Sequence, residues 1–110
     1  MSVTVGRVNI QQEGLILPIN GYSATVTLLA SDYTAIIDAT TGNLIVNLPP
    51  CNVNPGRIYI VKKGDATANT VTITANGSNT IDGAGTLVLT AANQRAVIQS
   101  DGNSIWHVLT

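Results

Sequence analysis

The sequence predicts an all-β protein, a single domain of about ten short strands in a sandwich or barrel-like arrangement. Three observations lead to this prediction. The apolar residues are mostly Val, Ile and Leu, and they recur at spacing two, the period of a strand with one buried face. Turn signals rich in Gly and Asn recur roughly every 8–12 residues. No segment sustains the 3.6-residue period of an amphipathic helix.

Alternation of apolar and polar residues divides the chain into short extended segments. The segment 70–74 is the clearest, because threonine alternates with valine and isoleucine there. Pro18 makes the run 15–19 an edge strand or an extended arm, since proline donates no ladder hydrogen bond. Asn20 and Gly21 are then predicted to form a turn. The predicted strands are 3–10, 15–19, 24–29, 33–38, 44–48, 57–63, 70–74, 80–81, 87–90, 95–99 and 104–109.

A set of positions is predicted to shape the core and the turns. Pro49 stops a strand because its φ is restricted and it lacks an N–H. Asp and Gly pairs favour tight turns before the strands that follow them. Trp106 is the largest apolar side chain of the protein and is predicted to close one end of the core. The positions are Leu48, Pro49, Ile58, Ile60, Ile73, Ile81, Asp82, Gly83, Asp101, Gly102 and Trp106.

Composition excludes several classes of protein. Of the 110 residues, 45% are apolar and only 10% are charged, which is not the composition of a disordered chain. A net charge of −1 without a basic stripe excludes a strongly basic nucleic-acid binder. The single cysteine, Cys51, excludes an internal disulfide framework and a cysteine-cluster zinc site. No apolar run is long enough for a membrane span, and the N-terminus lacks signal-peptide features, so we expect a complete cytosolic translation product.

The titratable side chains do not suggest an enzyme, a cofactor site or a metal site. His107 is the only histidine, and no nucleophile elbow accompanies it. Several carboxylates precede turn residues, where Asp bonds its own backbone, so a glycosidase pair is not indicated. Lys62 and Lys63 are interpreted as protection for an exposed strand edge. A small carbohydrate-active enzyme is therefore the weakest functional hypothesis.

From residue 31 onward the sequence resembles a β-rich module of bacteriophage virion proteins, which occurs in tail fibres, tail spikes, head fibres and capsid-attached proteins, often as trimers. The motifs are YTAIIDA (33–39), LIVNLP (44–49), PGRIYIVKK (55–63), ANTVTI (68–73), TIDG (80–83) and VIQSDG (97–102), followed by Trp106. The resemblance covers residues 31–110. It implies a structural role in the virion, assembly as a homotrimer and no catalytic residues.

Two functional hypotheses follow. The first is a capsid decoration (cement) protein, made in the host cytoplasm, that binds the major capsid protein or another virion protein through an N-terminal β-rich arm, residues 1–30. The candidate contact residues are Val3, Val5, Val8, Ile10, Leu15, Ile16, Leu17 and Ile19. The same stretch would alternatively supply extra strands to the β domain. The second hypothesis is a short tail fibre, spike or head-fibre protein that binds a host glycan through the loops 67–69 and 76–79.

Overall fold

The computed structural model describes residues 14–110, which form one all-β domain with ten strands in two sheets, as predicted. The strands are β1 Ile19–Tyr22, β2 Val26–Thr27, β3 Thr34–Ile37, β4 Leu44–Asn47, β5 Ile58–Lys63, β6 Val71–Thr74, β7 Thr80–Ile81, β8 Thr86–Leu89, β9 Arg95–Ser100 and β10 Ile105–Val108, with a 3-10 helix at Cys51–Val53. The large sheet has the order β1-β3-β5-β9-β10-β7, and the small sheet has the order β2-β4-β6-β8. Their inner faces pack against each other as a sandwich.

The first six strands alternate between the two sheets, so each turn of the chain adds one strand to each layer. β1, β3 and β5 are parallel neighbours in the large sheet, and β2, β4 and β6 are parallel neighbours in the small sheet. Parallel neighbours need a crossover connection. Here a strand of the opposite layer lies in each crossover, which is why a parallel arrangement forms without α-helices. β8 and β9 then add antiparallel pairings to β6 and β5.

The core lies between the two sheets and is built around two aromatic rings. Trp106 and Tyr59 are its largest side chains, both fully buried, with ring centroids 5.6 Å apart. Aliphatic side chains from both sheets surround the rings. Among the predicted core positions, Leu48, Ile73 and Ile81 are buried. Trp106 lies on β10, the fifth of the six strands of the large sheet, next to the short edge strand β7.

The prediction of core positions on β5 was wrong by one residue. Tyr59, Val61 and Lys63 point into the core, whereas Ile58 and Ile60 lie on the outer face and are half-exposed. Both faces of this strand carry large apolar side chains. Alternation therefore does not show which face is buried, and a shift of one residue exchanges the two faces.

Lys62 and Lys63 do not protect an edge, because β5 is the third of six strands. Lys63 is fully buried, and its Nζ lies 2.6 Å from Oδ2 of Asp65. Asp65 is thus an ion-pair partner as well as a turn residue. The two lysines do point to opposite faces of the strand, as the period of two requires.

The predicted turn at Asn20 and Gly21 is instead the middle of β1. Asn20 faces inward, where its side chain has a hydrogen-bond partner, and the edge position tolerates Gly21. Because β1 and β2 pair with β3 and β4, residues 19–27 are extra strands of the same domain rather than a separate arm. Residues 1–13 lie outside the described part of the chain.

The predicted turn positions adopt the conformations that their residue types allow. Pro49 follows the buried Leu48, which is the first residue after β4. Asp82 and Gly83 both have positive φ, and Oδ1 of Asp82 accepts a hydrogen bond from the N–H of Val108. Asp101 and Gly102 begin the β9–β10 hairpin, in which Oδ1 of Asp101 accepts three backbone N–H groups, those of Asn103, Ser104 and Ile105.

Candidate functional site

The N-terminal edge, which we define as residues 15–22, displays large aliphatic side chains to solvent. Leu15, Ile16 and Ile19 are 52%, 84% and 68% exposed, and Leu17 is half-exposed. These four are the candidate contact residues that fall within the described chain. The other four, Val3, Val5, Val8 and Ile10, lie outside the described residues.

β1 is an edge strand of the large sheet, and within residues 14–110 it pairs only with β3. Pro18 and Tyr22 use their carbonyl groups to accept hydrogen bonds from the β3 side. Because successive backbone groups of a strand point to opposite sides, the N–H and C=O groups of Ile19 and Gly21 point away from β3. Such a row of backbone groups is a template for pairing with another strand.

A buried carboxylate holds β1 in place. Asp32 is 1% exposed, and its Oδ1 accepts hydrogen bonds from the amide of Asn20, at 2.9 Å, and from the hydroxyl of Tyr22. Its Oδ2 accepts the backbone N–H of Leu29 at 2.9 Å. Burial acts to raise the pKa of Asp32, but these three hydrogen bonds outweigh it and hold the pKa below its ordinary value. The hydrogen bond that the Tyr22 hydroxyl donates to Asp32 raises the pKa of Tyr22.

An open groove of about 700 Å³ lies beside the N-terminal edge. The segment before β1 forms one wall, and the loop before β5 forms the other. Most of the lining is apolar, with Asp32, Tyr33, Asn54 and Arg57 as its polar members. The guanidinium of Arg57 lies 5.6 Å from the ring centroid of Tyr59 and donates a hydrogen bond to the carbonyl of Ala30, so its position is set by the fold.

The groove is lined by one aromatic side chain, Tyr33, for which the sequence analysis made no prediction of exposure. Tyr59, the only aromatic in the middle of the module, is buried in the core. Tyr33 is half-exposed and lines the groove. The sequence pattern carried no signal for this, because residue 33 shares the spacing of two with the buried residues 35 and 37, which predicts a side chain that points inward.

The loops proposed for glycan binding are partly occupied by structural hydrogen bonds. The side-chain amide of Asn69 donates to the carbonyls of Ala39 and Thr40, and the hydroxyl of Thr67 bonds Asp65. In the other loop, the side-chain oxygen of Asn79 accepts the backbone N–H of Cys51. Residues 76–78 remain exposed.

The candidate chemical groups of the sequence are separated in space. Cys51 is fully buried, and burial raises the pKa of its thiol, as expected for an inert side chain. His107 is about half-exposed, with Nε2 3.6 Å from Asp101 and Nδ1 4.0 Å from Asp82. Across residues 14–110, no group of three or more His, Cys, Asp or Glu side chains is placed to hold a metal ion. In this same part of the chain, no helix has the length and apolar character needed to cross a membrane.

No protein-family model matches this chain, and a search of curated proteins also finds no match. The resemblance to phage virion modules therefore stays a prediction from the sequence motifs.

Proposed function

We propose that this protein is a bacteriophage virion structural protein, a capsid decoration (cement) protein that binds and stabilises the shell as a homotrimer. The N-terminal edge carries this proposal. Three large aliphatic side chains, Leu15, Ile16 and Ile19, are exposed beside a strand whose outer backbone groups have no strand partner within residues 14–110. Contiguous exposed apolar side chains of this kind mark interaction sites.

The proposed mechanism is strand addition. An extended segment of the major capsid protein, or of another virion protein, pairs with β1 and receives main-chain hydrogen bonds from Ile19 and Gly21. The aliphatic side chains of Leu15, Ile16 and Ile19 are buried at the same time and supply most of the affinity. A trimer presents this edge three times, so a weak contact at each subunit becomes strong attachment to a local three-fold position of the shell.

The hydrogen bonds of Asp32 support this mechanism because they order the edge before binding. Asp32 holds Asn20 and Tyr22 on the inner face of the sheet, and these bonds do not use the backbone groups of Ile19 and Gly21 that point away from β3. A preordered strand loses less conformational entropy when a partner pairs with it. The cost of binding is reduced accordingly.

One observation favours the second candidate function, a short tail fibre, spike or head-fibre protein that contacts a host glycan. The groove combines an accessible aromatic ring, Tyr33, with the polar side chains of Asn54 and Arg57. Sugar rings stack on aromatic faces, and their hydroxyls bond to such polar groups. An apolar lining over most of the groove speaks against a sugar and ranks this function second.

The decisive experiment measures binding to capsids of the encoding phage prepared without this protein. The full-length protein and the double variant Leu15→Ser/Ile16→Ser are sedimented with these capsids over a range of concentrations. We expect the variant to bind at least about tenfold more weakly, since each buried aliphatic side chain contributes roughly 1.5–3 kcal/mol. The control is Ile45→Ser/Val88→Ser, which removes two aliphatic side chains, 44% and 43% exposed, from the outer face of the small sheet.

Wild-type protein that fails to sediment with capsids would refute the decoration proposal. Equal binding of the N-terminal variant and its control would remove the N-terminal edge from the contact. Deleting residues 1–13 then tests Val3, Val5, Val8 and Ile10 separately. For the alternative function, the protein is applied to immobilised host-surface glycans, and loss of a positive signal in Tyr33→Ala would assign the groove as the glycan site.

A further inference from the structure

The connection between β6 and β7 contains a tight turn in which asparagine precedes glycine, at Asn76 and Gly77. Asn76, Gly77 and Ser78 are all exposed. The backbone N–H of Asn79 donates to the carbonyl of Asn76 at 2.9 Å, which closes the turn. Gly77 has a φ of 54°, a conformation that glycine adopts without steric cost. The asparagine that opens this turn is therefore held by its backbone, while its side chain lies in solvent.

An asparagine followed by glycine is open to attack by its own backbone. The nitrogen of the following residue and Cγ of the asparagine can close a five-membered ring, and glycine has no side chain to obstruct their approach. The reaction needs a following N–H that makes no hydrogen bond and a side-chain amide that is free to turn. It also needs a backbone that can bring the two atoms together. A folded structure can withhold any of these three conditions.

The described chain contains ten asparagines, and the fold withholds the attacking nitrogen at most of them. After Asn54 comes Pro55, which has no N–H. After Asn52 comes Val53, whose β-branched side chain crowds its nitrogen. At six further asparagines the following N–H donates a hydrogen bond to another part of the protein. These six N–H groups belong to Leu44, Leu48, Thr70, Thr80, Gln94 and Ser104.

Two Asn-Gly pairs remain, and the structure separates them. Asn20 lies within β1, where pairing with β3 keeps its backbone extended. Its side-chain amide donates to Oδ1 of Asp32 at 2.9 Å, so the amide is not free to turn. Asn76 lies outside the strands, and within residues 14–110 neither its side chain nor the N–H of Gly77 has a hydrogen-bond partner. A Cβ at Gly77 would meet nothing within 4 Å, so the space around the turn is open.

We propose that Asn76 is a site of spontaneous deamidation, the position in residues 14–110 at which the fold leaves this reaction open. The nitrogen of Gly77 loses its proton and bonds to Cγ of Asn76. The bond from Cγ to Nδ2 breaks, and Nδ2 takes up a proton and leaves as ammonia. Water then opens the cyclic imide. Attack at Cγ gives aspartate, and attack at the main-chain carbonyl gives isoaspartate, in which the main chain runs through Cβ and Cγ.

Deamidation adds one carboxylate to the surface of a chain whose net charge is −1. The fold anchors the turn on both sides, because the N–H of Ala75 donates to the carbonyl of Gly85 and the side chain of Asn79 accepts the N–H of Cys51. The turn leads into β7, and β7 and β1 are opposite edges of the large sheet. The new charge therefore arises apart from the N-terminal edge, and the inference does not rest on the proposed function.

The test compares the two Asn-Gly pairs within one protein. The full-length chain is incubated in mildly alkaline buffer, which favours loss of the Gly77 proton, and samples are withdrawn over time. Anion-exchange chromatography separates the more acidic product, and mass spectrometry of proteolytic peptides locates aspartate and isoaspartate. A parallel incubation in unfolding urea removes the protection that the fold gives to Asn20. Far-UV circular dichroism verifies that the first sample is folded and that the second is not.

In the folded protein, we expect Asn76 to react at least about tenfold faster than Asn20, because Asn20 must first give up a hydrogen bond to a charged acceptor. In urea, the two pairs should react at similar rates. No reaction at Asn76 in the folded protein, or equal rates at Asn20 and Asn76 there, would overturn the inference.

A pair of variants supplies an independent check. Asn76→Gln keeps an amide but lengthens the side chain, so attack would have to close a larger ring, and the acidic product should disappear. The control is Asn52→Gln, which makes the same change at another exposed asparagine and should leave the product unchanged. An acidic product that forms in Asn76→Gln at the wild-type rate would place the reaction elsewhere and refute the assignment.

Discussion

The ammonium of Lys63 lies 2.6 Å from Oδ2 of Asp65, and both side chains are buried. The same ammonium donates to the carbonyl of Thr67 at 2.9 Å. The other carboxylate oxygen, Oδ1, accepts the backbone N–H of Ala39 at 2.8 Å. The pair therefore joins the end of β5 to the loop before β6 and to the turn after β3. These are the places where the chain crosses between the two sheets.

Replacing Lys63 by Met should destabilise the protein, even though the apolar side chain of methionine suits a buried position. Methionine fills a similar volume, but the carboxylate of Asp65 then stays buried without its cation. Loss of one partner of a buried pair typically costs about 3–5 kcal/mol, and we expect about 3 kcal/mol from the midpoint of urea unfolding. Lys62→Met, on the outer face of the same strand, is the control and should change stability by less than about 0.5 kcal/mol. Equal effects of the two substitutions would contradict the structural importance of the pair.

Stability should fall in acid, with Asp65 as the main contributor. Hydrogen bonds from Lys63 and then from Thr67 hold the pKa of Asp65 well below its ordinary value. A lowered pKa in the folded state means that the stabilisation is complete above the ordinary Asp pKa of about 3.9 and is lost as the pH falls toward the folded value. The urea midpoint should therefore be flat from about pH 7 to pH 5 and should decline below about pH 4. In Asp65→Asn that decline should be shallower, and parallel curves for the two proteins would count against this assignment.

The Trp106 side chain should matter for its size rather than for its N–H group. Its Nε1 is buried, with no hydrogen-bond partner among residues 14–110. Trp106→Phe removes this unpaired donor and keeps an aromatic ring against Tyr59, so we expect a loss of about 1.5 kcal/mol or less. Trp106→Ala leaves a cavity and should cost about 3–5 kcal/mol. Far-UV circular dichroism in urea measures both variants, and similar losses in the two would show that the N–H group is needed.

Gly102 should tolerate substitution less well than Gly83. Both have positive φ, at 76° and 91°. A Cβ at Gly102 would lie 2.8 Å from Cβ of Pro55, whereas a Cβ at Gly83 would meet nothing within 4 Å. Gly83→Ala therefore reports the backbone strain alone, about 1–2 kcal/mol. Gly102→Ala should cost more, because Pro55 is rigid and its loop has to shift. Thermal unfolding of both variants compares them, and equal melting temperatures would show that the loop yields freely.

Much of the strand content was predictable because it depends on local alternation. The segments 44–48, 57–63, 70–74 and 95–99 all correspond to strands with bounds shifted by one residue or so. Period-two patterning and turn residues are local signals, and a short strand expresses them whatever it pairs with. The prediction failed at Asn20 and Gly21, whose turn propensity was overridden by pairing with β3 and by the hydrogen bond to Asp32.

The functional surfaces were less predictable. The sequence analysis did identify Leu15, Ile16 and Ile19 as candidate contact residues. They are apolar residues of an edge segment, and an edge leaves such side chains exposed to solvent. The outward orientation of Ile58 and Ile60 was missed, because both were assigned to the core. The role of Asp32 was missed as well, since its partners Tyr22 and Asn20 are 10 and 12 residues away, beyond the reach of local patterns.

By itself, the sequence determined that this protein is a small all-β domain. It also determined where most of the strands lie and at which Asp-Gly and Pro positions they end. Those properties follow from alternation, β-branching and allowed φ values, all of which act between neighbours in the chain. Only the tertiary structure decided that the first six strands alternate between two sheets, that Lys63 is buried against Asp65 and that Ile58 and Ile60 point outward. These properties depend on pairing between residues far apart in the chain, and a strand that is apolar on both faces satisfies its own pattern equally well either way round.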